Sequence, residues 1–182
     1  CAPSLPSRLV AVEPSPQALP LLEANARAQP GARWEVVPAA VGASPGRMQL
    51  YPGLIHMLVS DPRLHPGAAA RPLEVEVTTV DALCRARGLR PDLIKLDVEA
   101  YEAEALAGAA ETLAQGPRLI LEWHCAMLRQ RGLDPLAALA PLAAAGYRCH
   151  PFEFPELGVL PAGELHLLPP RDIYRLYCEP RA

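Results

Sequence analysis

Five residues have the types and positions that chemistry needs: Glu13, Asp97, Glu99, Glu122 and His124. Each closes a short apolar run, Glu13 in RLVAVE, Asp97 and Glu99 in DLIKLDVE, and Glu122 and His124 in RLILEWH. In open α/β sheets ligands bind beyond the carboxyl ends of the strands, where turns and helix N-termini converge, so acids at those ends are candidates for holding a cofactor or substrate. Glu13 is placed to accept hydrogen bonds from the two hydroxyls of a ribose; the alternative is a solvated carboxylate that favours the next helix N-terminus. Asp97 reads equally well as an N-cap, and Glu99 and Glu102 as first-turn charges complementing a helix dipole. Glu122 and His124 alternate with Leu121 and Trp123 and so share one side of a strand. A carboxylate beside an imidazole can act as orienter and base or as metal ligands, and a mutually satisfied buried pair is the structural alternative. His56 and Met57, in a long loop, are weaker candidates.

The elements that must position these residues follow from apolar runs and their breakers. Arg8 to Val12 reads as a strand, and the Pro14-Ser15-Pro16 turn opens a helix to about Ala28 with Leu19, Leu22 and Ala26 inward. Trp34 to Val37 is a second strand, and the turn Ala43 to Gly46 into Arg47 to Tyr51 predicts a hairpin. Residues 52–72 form a long loop without periodicity. Leu73 to Val77 is a strand, and Thr78 with Asp81 predicts a capping box for a short helix ending at Gly88. Asp92 to Val98 is the next strand, followed by a single helix from Ala100 to Gln115, closed by Gly116-Pro117. After the strand Arg118 to Trp123, Asp134-Pro135 starts a helix to Gly146 kinked at Pro141. Tyr147 to Phe152 and Ile173 to Cys178 close the chain, with a hairpin expected through Leu165 to Leu168. Strands alternating with helices predict a doubly wound, mainly parallel Rossmann-like α/β sheet with antiparallel strands at the C-terminal end, all in one domain, residues 1–182.

Composition narrows the function classes. The chain has 182 residues, 51% of them hydrophobic, enough for one sizeable core. A net charge of −3 without long runs of one sign offers no basic field for nucleic acid or an anionic membrane, so a small-molecule partner is expected. The five cysteines are odd in number and lack a Cys-x-x-Cys pair, so neither a disulfide framework nor a zinc site is indicated, no metal is expected, and the cytoplasm is the default location. The most apolar stretch, Leu133 to Tyr147, is broken by Asp134, Pro135 and Pro141 and falls short of the roughly 20 residues that span a bilayer.

The order EPSP, AAVGASPGRMQL, VTTVDAL, PDLIKLDVEAYEAEALAGAAETL, LILEWH closely resembles the FkbM-type S-adenosylmethionine-dependent methyltransferases over residues 9 to 124. The segment DLIKLDVE-x-x-E-x-x-x-L-x-G-A is the most specific part. The resemblance implies a class I methyltransferase fold, S-adenosylmethionine as cofactor, and O-methylation of a hydroxyl on a sugar or natural product. It would give Glu13 the cofactor's ribose, set Ala40 and Val41 near the adenine, and place Asp97 near the methyl-transfer centre, with Glu99, Glu122 and His124 around the acceptor. The family has glycine where this chain has Ala100. It also precedes the EPSP segment with a strand and an Asp-x-Gly-x-x-x-Gly turn that nothing before Arg8 matches. The chain is therefore expected to be a fragment or a shortened relative, and weak or inactive in cofactor binding alone. A non-catalytic binding module and a metal-dependent hydrolase-like site are the rival readings.

Overall fold

The computed structural model of the chain describes residues 8–29, 31–51, 57–58 and 71–181. β1 (Arg8–Val12) runs parallel to β2 (Arg33–Val37) and is joined to it by helix α1 (Leu19–Arg27). Leu19, Leu22 and Ala26 are half-buried at helical spacing while Leu21 is exposed, and Pro20 occupies the first turn, where no helical N–H is lost.

The expected hairpin between the second and third strands does not form. β3 (Ala40–Val41) and β4 (Gly46–Tyr51), which flank the Ala43–Gly46 turn, pair on opposite sides of β6 (Leu73–Thr78), β3 parallel and β4 antiparallel; β5 (Met57–Leu58) adds to the outer edge of β4. The alternation of β6 explains the choice, because Val75 and Val77 face a cluster with Ala40, Leu50 and Tyr101 while Glu74 and Glu76 face out to Arg47. His56 lies outside the described residues.

Helix α2 (Val80–Arg87) ends at Gly88, whose φ of 57° is the left-handed C-cap conformation. Its cap is Thr79 rather than Thr78, which is still paired in β6: the Thr79 hydroxyl accepts from the Ala82 N–H at 2.9 Å. Asp81 accepts instead from the N–H groups of Glu111 and Thr112 (3.0 and 2.8 Å) and from the Thr112 hydroxyl (2.7 Å).

Those bonds tie α2 to the region after β7 (Leu93–Leu96), where the predicted single helix is two, α3 (Glu102–Ala107) and α4 (Ala110–Leu113). The break falls where the Gly108 carbonyl accepts from Asp81 N–H (3.0 Å) and where a Cβ on Gly108 would lie 2.1 Å from the Gly42 carbonyl oxygen. After β8 (Arg118–Trp123) comes α5 (Cys125–Gln130), which the sequence reading missed. The next predicted helix breaks ahead of Pro141 into α6 (Pro135–Ala138) and α7 (Ala140–Ala144), and Asp134 caps α6 as expected, accepting from Leu136 N–H at 3.0 Å.

β9 (Arg148–Pro151), β10 (Leu160–Pro161) and β11 (Tyr174–Glu179) finish the chain. Leu165 to Leu168 makes no hairpin; Ala162–Leu167 is a 3-10 turn, and β10 is what pairs with β9. The largest sheet has the order β7-β8-β11-β9-β10, parallel only between β7 and β8. The fold is therefore mixed α/β, but the described strands form three small sheets, one a parallel pair (β1–β2) and two mixed sheets with one parallel pair each (β3–β6, β7–β8), rather than one mainly parallel sheet.

The main core lies on the five-stranded sheet, where Leu119, Leu121, Leu176 and Trp123 meet Leu106, Leu128 and Leu142 of the helices and Leu139 between α6 and α7. Each such fully buried leucine contributes roughly 1.5–3 kcal/mol. Among the described residues no helix is long and apolar enough to cross a membrane.

Candidate functional site

β7 and β8 run side by side, Leu96 opposite Leu121, so the residues that follow their ends emerge together. Leu121 and Trp123 point into the core, and Trp123 is fixed there by its Nε1–H donating to the Pro135 carbonyl at 3.0 Å. The alternation then puts Glu122 on the other side. One ligand-capable atom each from Asp97, Glu122 and His124 lie within 4.8 Å of one another.

His124 is buried and gripped by carboxylates. Its Nδ1–H donates to Glu102 Oε1 at 2.6 Å, and its Nε2 stands 3.4 Å from Glu99 Oε2. A carboxylate can only accept, so the Glu102 bond fixes the proton on Nδ1 and leaves Nε2 toward the cluster. Burial pulls the imidazole pKa down, but the hydrogen bond and charge of Glu102, with Glu99 and Asp97 behind it, outweigh that and hold it above its ordinary value. Burial pushes Glu99 above the usual carboxylate range; His124 opposes this, while Asp97, Glu102 and Glu122 add to it. Burial pushes the thiol of Cys125, next in the chain, up to about 12, which disfavours its thiolate.

A strained turn aims Glu99. Glu99 and Ala100 have φ of 49° and 72°, a left-handed region that costs a residue with a Cβ on the order of 1–2 kcal/mol. Both ends of Ala100 are pinned: its N–H donates to Glu102 Oε1 (3.1 Å), and its carbonyl accepts from Arg131. Arg131 also pairs with Glu104 and lies over the Tyr101 ring, 4.1 Å from its centroid. The family glycine at this place has a physical reason, since glycine adopts such angles freely.

Asp97 is not a helix cap; it pairs with Lys95 Nζ at 2.9 Å, and α3 starts later with Tyr101 as its cap residue. Glu102 is not a first-turn surface charge; it is fully buried, and its Oε2 has no partner among the described residues. Sequence reasoning did not name Glu102 among the candidate site residues, although it is the second glutamate of the DLIKLDVE-x-x-E pattern and the structure sets it against His124. Glu13 ends a different sheet, its N–H donating to the Val37 carbonyl at 3.1 Å, and its Oε1 accepts from Ser15 N–H at 2.7 Å, which secures the turn into α1. Ala40 packs with Tyr101, and Val41 against the cluster that holds Leu96 and Ala100, so β3 backs the turn after β7. A cavity of about 420 Å³ lined by Glu153, Arg171, Asp172, Ile173 and Arg175 adjoins the cluster through Arg175, whose Nε stands 3.8 Å from Glu122 Oε1.

Residues 6–149 match the Methyltransferase FkbM domain family. The chain belongs to that family. Its fold is similar to the crystal structure of Methyltransferase FkbM from Methylobacillus flagellatus KT, with a TM-score of 0.53 at 18% identity over 94% of this chain. The likeness covers 36% of that protein, so this FkbM domain spans about a third of the solved relative's length. None of the curated proteins matches the chain in sequence.

Proposed function

We propose that this FkbM domain serves S-adenosylmethionine-dependent O-methylation of a small-molecule acceptor, a hydroxyl on a sugar or natural product, in the cytoplasm, with His124 as the base. The carrying observation is the buried Glu102–His124 pair, which presents Nε2 beside Asp97, Glu99 and Glu122 at the ends of β7 and β8. The donor set suits the cofactor: carboxylates complement a cationic sulfonium, and Glu13 Oε2 is the oxygen that would meet the ribose, since Oε1 holds Ser15. When bound, the cofactor supplies an activated methyl group. Ala40 and Val41 would line the adenine side.

His124 Nε2 takes the acceptor's hydroxyl proton once the imidazole is neutral, and Glu102 stabilises the imidazolium that results. Asp97 and Glu122 orient the acceptor by accepting its hydrogen bonds. Glu99, held by the strained turn 3.4 Å from Nε2, accepts from Nε2–H once the imidazolium has formed.

The same reading includes a further parallel strand between β1 and β7, carrying the family's glycine-rich turn and making one doubly wound sheet. β1 and β7 each have one edge that meets no described strand, and Leu93 on β7 is 50% exposed although its strand is apolar. Open edges with apolar faces are what natural sheets avoid. Calorimetric titration of the full natural protein with S-adenosylhomocysteine tests the proposal. Binding in the micromolar range or tighter is expected, and no binding would refute it in favour of a non-catalytic module.

A further inference from the structure

β9 and β11 are antiparallel neighbours, and their register sets Cys149 directly opposite Cys178. Their Sγ atoms are 2.9 Å apart, nearer than two sulfurs normally approach without a bond, and both residues are fully buried. Opposed residues of an antiparallel pair have Cα atoms about 4.5–5.5 Å apart, inside the roughly 4.4–6.8 Å that a disulfide spans, so closure needs side-chain rotation rather than backbone movement. Cys84 in α2 and Cys125 in α5 have no thiol partner among the described residues.

We propose that Cys149 and Cys178 are a modification site: under oxidising conditions they form one disulfide that staples β9 to β11, with a small disulfide such as oxidised glutathione as the oxidant. The Cys149 thiolate attacks one sulfur of the oxidant, and the S–S bond breaks to expel one thiolate and leave a mixed disulfide. The Cys178 thiolate then attacks the Cys149 sulfur and expels the second thiolate. The protein loses two electrons and the oxidant gains them, and the two thiol protons end on the two leaving thiolates.

Burial decides when this happens. The neighbouring Cys149 sulfur first, and burial after it, hold the Cys178 thiol well above its ordinary pKa, and both sulfurs are shut off from an oxidant in the folded chain, so the closing attack by Cys178 is slow there. The bond therefore forms while the chain folds, and once formed it is shielded from reductants. This makes it a staple and not a fast sensor. The inference is independent of methyl transfer.

The full chain is unfolded and reduced, refolded across a series of reduced-to-oxidised glutathione ratios, quenched in acid, alkylated in denaturant and mapped by peptide mass spectrometry. The expected product lacks the mass of two hydrogens, carries a Cys149–Cys178 cross-linked peptide, and keeps Cys84 and Cys125 alkylated at ratios where the cross-link is complete. Its Tm exceeds that of the reduced chain, and this gain disappears in Cys149→Ala. Alkylation of Cys149 and Cys178 at every ratio, or cross-linking of either to another cysteine first, would overturn the proposal; equal Tm values for oxidised and reduced chain would overturn the staple. The mapping uses the unaltered chain, so it stands even if Cys149→Ala fails to fold.

Discussion

Replacing Glu102 should damage the site and the fold together, and in a pH-dependent way. Its carboxylate is fully buried, accepts from His124 Nδ1 at 2.6 Å and from Ala100 N–H at 3.1 Å, and secures the left-handed turn beside it. Removing one member of a buried charged pair costs about 3–5 kcal/mol, because the partner stays buried without its counter-charge. That range fits the two lost bonds, both made to the charged carboxylate and each worth about 1.5–3 kcal/mol. Glu102→Ala should lose about that much in urea unfolding followed by circular dichroism. Glu102→Gln keeps the shape and one acceptor, so it should lose less, and the His124 pKa should fall because the leading opposition to burial is gone. The sign follows from linkage. The folded His124 pKa lies above the unfolded value of about 6.5, so the stability it confers is complete below that pH and is lost as pH rises through the folded pKa. The penalty of Glu102→Gln should therefore be larger at pH 6 than at pH 9, and imidazole NMR should report the lowered pKa. Equal penalties at the two pH values, with an unmoved His124 titration, would refute the pairing.

Three more outcomes follow. Glu13→Ala should weaken S-adenosylhomocysteine binding roughly ten- to a hundredfold, the worth of a charge-assisted hydrogen bond of about 1.5–3 kcal/mol, and unchanged affinity by calorimetry excludes the ribose role. Methyl transfer by the full natural protein should rise with pH along a limb whose midpoint lies above the ordinary histidine value, because the base must be neutral and its pKa is raised; a flat profile that His124→Gln leaves unchanged removes His124 as base. The 182 residues alone should bind the cofactor weakly, and adding a strand with a glycine-rich turn at the N-terminus should raise both Tm and affinity. Micromolar binding together with methyl transfer by the 182 residues alone would show that the β1 and β7 edges need no partner.

The sequence disclosed the places of the strand ends more surely than the pairing of the strands. Asp97, Glu99, Glu122 and His124 could be read as one group because each follows an apolar run that a parallel pair must align, and a single register, Leu96 opposite Leu121, carries that inference. Pairing is non-local and left no such mark: nothing in AAVGASPGRMQL says that β6, more than 20 residues on, will lie between the strands flanking its turn. Helix interruptions were hidden for a similar reason. The run from Ala100 to Gln115 has high helix propensity throughout, and it breaks where Gly108 meets Gly42, just after β3, and Asp81 of α2.

Glu102 shows the same limit at the site. By spacing it is a first-turn acid like Glu104, which stays partly exposed and pairs with Arg131, and the difference between them is a rotation around α3 that only the packed helix defines. That rotation carries the functional argument further than the acids named from sequence do. Asp97 and Glu122 have basic partners at the surface, Lys95 and Arg175, and such pairs contribute little. Glu102 has His124 and the Ala100 peptide alone, in the interior, where an unpaired carboxylate is costly. A chain selected only for stability would fare as well or better with apolar residues at these two positions, since replacing a buried ion pair by well-packed hydrophobic groups is often neutral or stabilising. A buried carboxylate, a buried imidazole with raised pKa and a left-handed alanine meeting at one place support the proposed proton-handling role, and the Glu102 and His124 substitutions separate that role from packing.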